Sequence, residues 1–122
     1  MQVIVVEPRK KPVVQDIDAG LESMQKIVGG FIQAIYPFEE PVALICNEEG
    51  KLQNLPLNRA LRDDAGEVYD IISGTFLLCA APPDSNNFAG LTDLQVKTYL
   101  ERFAMPEMFL SVGGALFVLP YL

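Results

Sequence analysis

Apolar residues fall along this chain in short blocks separated by proline, glycine and acidic turns. Met1–Glu7 (MQVIVVE) is β-branched and almost continuously apolar, which predicts a central strand ending at Pro8. Val13–Ile17 predicts a second strand, so Pro8–Pro12 becomes the loop of a hairpin. Leu21, Met24, Ile27 and Val28 then recur at helical spacing, with Asp18 placed to cap and Gly29-Gly30 to stop the helix. A phosphate loop would precede a helix, and this glycine pair follows one.

Phe31–Tyr36 predicts a third strand and Val42–Cys46 a fourth, joined by the proline-bracketed Pro37–Pro41. Asn47-Glu48-Glu49-Gly50 reads as a turn with Gly50 at positive φ, after which Lys51-Leu52 can pair back. Asn58–Arg62 reads as a helical turn capped by Asn58, with Arg59 and Arg62 on its outer side. Glu67–Ile72 and Thr75–Ala81 predict two further strands around Ser73-Gly74. Thr92 caps a last helix whose Val96, Tyr99, Leu100 and Phe103 face the core. The pattern predicts an α+β fold, a mixed and mainly antiparallel sheet of about five to seven short strands packed with two or three helices.

A single α+β domain is expected over residues 1–110, with residues 111–122 as an apolar tail. That tail is either a last strand or an oligomer contact, because so many large apolar groups left exposed would form a docking patch. The apolar stretch Met108–Leu122 is 15 residues long and broken by Gly113-Gly114 and Pro120, short of the about 17–25 residues a membrane helix needs. No signal peptide is visible, so a cytoplasmic protein is expected, without membrane contact.

Composition narrows the chemistry. Half the residues are hydrophobic and the net charge is −7, which argues for a packed globule and against direct nucleic-acid binding. Arg9-Lys10-Lys11 concentrates three of the nine basic residues at one loop and reads as solvated charge. There is no histidine, which removes Ser-His-Asp and Cys-His catalysis and histidine-ligated metal. Cys46 and Cys79 sit in apolar runs and read as small hydrophobes. No catalytic residue, metal ligand or cofactor is expected.

The candidate ligand-binding residues are Asn47, Glu48, Asn58, Arg59 and Arg62, with Tyr36 and Phe38. Asparagine offers donors and acceptors, arginine a planar fork for phosphate or carboxylate, and an aromatic ring a stacking face for a base. Equally, Asn47 and Asn58 can hold turns and caps, with Arg59 paired to Glu48 or Glu49. The paired acids, such as Glu39-Glu40 and Asp63-Asp64, lie at turns and read as solubility charge.

The blocks Gly29–Ile32, Tyr36–Phe38, Ile45–Leu52 (ICNEEGKL), Leu55–Leu61 (LPLNRAL) and Ile72–Phe76 carry a resemblance. Over about residues 1–109 the chain resembles a small domain-of-unknown-function family encoded by Gram-positive bacteria, their phages and conjugative elements. The resemblance implies a cytoplasmic accessory factor that blunts a host defence, and it supplies no catalytic residues. The expected function is therefore a non-enzymatic counter-defence protein that binds and sequesters a small anionic, nucleotide-type signal, acting as a homo-oligomer. The alternative is an acidic module that occupies a host defence protein and has no ligand pocket.

Overall fold

The computed structural model describes all 122 residues, as nine strands and two helices. In chain order these are β1 (Gln2–Val6), β2 (Val13–Asp16), α1 (Leu21–Val28), β3 (Ile32–Ile35), β4 (Val42–Asn47) and β5 (Leu57–Arg62). There follow β6 (Val68–Ser73), β7 (Phe76–Ala80), α2 (Asp93–Arg102), β8 (Glu107–Val112) and β9 (Ala115–Pro120). Five strands form one sheet in the order β2-β1-β7-β4-β3, every neighbouring pair antiparallel. β5–β6 and β8–β9 are separate two-stranded hairpins. The fold is α+β, as the apolar spacing predicts.

The three inner strands β1, β7 and β4 are buried on both sides, which explains their near-continuous apolar sequence. Val3, Val5, Ala43, Ile45, Leu77 and Cys79 point to one face, where Met24 and Val28 of α1 cover them. Ile4, Val6, Leu44, Phe76 and Leu78 point to the other, against Leu61 and Ile72 of β5–β6 and Tyr99 and Phe103 of α2. Period-two alternation within each strand thus feeds two cores, one on each side of the sheet.

Several local expectations are corrected. The helical turn at Asn58–Arg62 is strand β5, paired with β6. Its apolar positions 57, 60 and 61 mimic helical spacing, but a bulged antiparallel pairing wins. Arg59 is consequently buried and does not lie on an outer face. Gly20 stands at the N-cap of α1, without a side-chain hydrogen bond, so Asp18 does not cap it. Gly50 is absent from the positive-φ residues; Asn54, at φ 54°, takes the left-handed position of that turn. Glycine is needed at 50 for space, since a Cβ there would meet the Ser73 carbonyl at 2.8 Å. Lys51 and Leu52 remain in the turn and pair with no strand. The Thr92 cap stands, as a full capping box with Gln95.

Burial also governs the thiols. Cys79 is fully enclosed in β7, and desolvation pushes its pKa up to about 12. An unfolded thiol titrates near about 8.5, so the folded protein holds this proton where the unfolded chain has released it. Stability from this group is complete below that pH and falls by roughly 1.4 kcal/mol per pH unit towards pH 12. Urea midpoints taken from pH 8 to 11 should decline for the native chain and decline less for Cys79→Ala, narrowing the gap between them. Parallel declines would show that the thiol does not contribute.

Candidate functional site

Asn58 and Arg59 are adjacent in β5, yet both side chains are buried, Asn58 on the sheet side and Arg59 under the end of α2. Asn58 Nδ2 donates to the carbonyls of Val6 and Gly74, both at 2.8 Å, tying β5 to β1 and to the β6–β7 turn. Its Oδ1 accepts from Arg59 Nη1 at 2.9 Å. Arg59 Nε and Nη2 both donate to the Phe103 carbonyl, at 3.3 and 3.1 Å, and Nη2 also donates to the Lys10 carbonyl at 2.7 Å. Burial lowers the pKa of Arg59, and nearby Glu107 opposes that shift.

This guanidinium therefore closes the C-terminal end of α2, where its positive charge also offsets the negative end of the helix dipole. In the same fork it grips the basic β1–β2 loop through Lys10. Every donor has a carbonyl or amide acceptor, which is how a buried cation without an adjacent carboxylate is tolerated. Arg59 and Asn58 are consumed by the architecture.

The remaining candidates lie apart. Asn47 ends β4, donates from Nδ2 to the Val28 carbonyl at 3.2 Å and accepts from Glu49 N–H at 2.8 Å. It thereby fastens the end of α1 to the turn at 47–50. Glu48 is exposed beside it. A groove of about 250 Å³ runs between this turn and β6, lined by Asn47, Glu48, Glu49, Lys51 and Asp70 among others. Lys51 is paired with Asp70 at 2.8 Å, which leaves the groove acidic and poorly matched to an anion.

Arg62 is held by Glu107 Oε2 at 2.7 Å, while Glu107 Oε1 accepts from Ala60 N–H, so this pair anchors β8 to β5. Tyr36 is 61% exposed. Phe38 is half-buried, with the Tyr99 ring 4.7 Å away and the Arg102 guanidinium 4.8 Å over its face.

A different place has the chemistry expected of an anion site. Between the β1–β2 loop and the end of α2 lies a groove of about 760 Å³. Arg9, Lys11 and Pro12 form one wall; Leu100, Met105 and Pro106 form the other, with Tyr121 alongside. The four ion pairs of the chain involve neither Arg9 nor Lys11, although Lys10 between them pairs with Glu7. Arg9 also holds φ at 62°, an uncommon conformation for a residue with a Cβ and one that often marks functional loops. In the sequence these residues read as solvated charge. What distinguishes Arg9 and Lys11 is that both stand outside every ion pair of a chain of charge −7.

Arg59 lies beneath both walls of that groove, through Lys10 on one side and Phe103 on the other. Arg59→Leu should cost about 3–5 kcal/mol, because it strands buried acceptors, and Arg59→Lys should recover little, lacking the fork. Urea unfolding measures both; a loss under about 1 kcal/mol for Arg59→Leu would contradict the clamp.

Comparison with known proteins adds the family and nothing beyond it. No curated protein and no solved structure matches the chain. Residues 1–104, which include β1 to α2 and stop short of the β8–β9 hairpin, match the family model of DUF3846, a domain of unknown function, and the chain belongs to that family.

Proposed function

We propose that this protein is a non-catalytic binding protein that holds a small nucleotide-type anion in the groove between Arg9–Lys11 and the end of α2. The carrying observation is the pairing of two unengaged cations with an apolar wall. A phosphate would sit against Arg9 and Lys11, and a base would lie over Met105 and Tyr121. The groove volume is within the usual range for small-molecule sites.

Two features favour holding over conversion. No carboxylate side chain and no thiol lines the groove to serve as a general acid or base. Both cysteines lie elsewhere, and burial raises the pKa of each, leaving protonated and unreactive thiols.

The resemblance to proteins of phages and conjugative elements suggests the biological use. On this reading the chain is a counter-defence factor acting in the host cytoplasm, and the anion is a host defence signal withdrawn from its receptor.

Incubation of the protein with a nucleotide mixture should deplete one component, which heat denaturation then returns unaltered by mass spectrometry. Arg9→Ala and Lys11→Ala should each weaken retention on the order of tenfold or more, and Asn47→Ala should not. Recovery of an altered nucleotide would make the protein an enzyme. No depletion at all would leave the alternative, an acidic module that binds a host defence protein directly.

A further inference from the structure

We infer that the outer face of the β8–β9 hairpin docks against the same face of a second copy of this chain. The register sets Met108 opposite Leu119, Leu110 opposite Phe117 and Val112 opposite Ala115. Directly opposed residues of antiparallel strands share a face, so one side of the hairpin carries six apolar side chains and nothing polar. The opposite side carries Glu107, Phe109, Ser111, Leu116, Val118 and Pro120, and its base is turned towards the body, where Glu107 accepts from Ala60 N–H. On the first face Leu110, Val112, Phe117 and Leu119 are 41–61% exposed and Met108 is half-buried; on the other, Phe109 and Val118 are half-buried and Leu116, towards the tip, is 48% exposed.

The occupant follows from what the face lacks. No charged residue occurs anywhere in Met108–Leu122, on a chain whose net charge is −7. A charged partner would find nothing there to select it, and an anionic bilayer would meet an acidic protein without a basic anchor. A face without charge or unpaired polar groups is instead complementary to itself. Set against its own copy about a two-fold axis, it brings no like charges together and strands no donor.

Physical need points the same way, since an isolated two-stranded hairpin is marginal in water and gains from a second layer about 10 Å away. Six apolar side chains on two short strands make a small face, in the class of weak contacts that bury less than roughly 1,200 Å² in total. A weak, concentration-dependent dimer is therefore expected, with Kd on the order of 1–100 µM. Pro120 lacks an N–H at the free edge of β9, which discourages open-ended strand addition and favours a closed pair.

Sedimentation velocity on the full chain from about 5 to 500 µM spans that range. The native chain should move from monomer to twice the monomer mass. Phe117→Glu, and separately Val112→Lys near the hairpin tip, should stay monomeric with unchanged far-ultraviolet circular dichroism. Leu52→Glu, at a more exposed leucine in the turn after β4, should still dimerise. Mixing Phe117→Glu with Phe117→Lys should restore the doubled mass. A native chain that stays monomeric throughout would overturn the inference, as would a dimer that survives both substitutions. Co-flotation with phosphatidylglycerol vesicles would assign the face to lipid instead and overturn it as well.

Discussion

Arg59 is 1% exposed, and its guanidinium reaches three separate pieces of the chain. It takes Asn58 Oδ1 from its own strand, the Lys10 carbonyl from the β1–β2 loop and the Phe103 carbonyl from the end of α2. Burying such a cation costs several kcal/mol unless all its donors are met, so the three pieces are constrained to arrive together. Asn58 extends the constraint to the sheet through Val6 and Gly74. The side of the molecule carrying β5, α2 and the basic loop is organised around this one fork.

That constraint also shapes the electrostatics. Without Arg59, the end of α2 would present unpaired carbonyls to the neighbouring groove and repel an anion. With it, the helix end is neutralised, and Arg9 and Lys11 face the groove without ion-pair partners. The acids that outnumber the bases across the chain lie mostly at turns elsewhere, including Glu48, Glu49, Asp63 and Asp64. Local charge in the groove therefore runs against the net charge of the molecule.

The inner sheet was legible because β1, β4 and β7 combine β-branched or apolar runs with clear turn residues, and α2 because Thr92 and Gln95 spell a capping box. β5 was not legible. Its LNRALR sequence lacks alternation, because two of its buried positions are the polar Asn58 and Arg59, whose partners include carbonyls 44 to 52 residues away. The same fact explains the candidate site. Asparagine and arginine side by side look alike whether they await a ligand or satisfy distant carbonyls, and only the three-dimensional contacts separate the two. For Arg9 and Lys11, a loop cation run gives no hint of the apolar wall that α2 brings beside it.

The β8–β9 hairpin lies outside the matched family region and touches the body through β5, Glu107 and the base of β8. The most direct check on the account is hydrogen exchange at the arginine Nε–H groups, followed by ¹⁵N NMR. The Arg59 Nε–H should exchange with solvent far more slowly than those of Arg9 and Arg62. Exchange of Arg59 as fast as Arg9 would mean that its fork is open to water, and the organisation described here would fail with it.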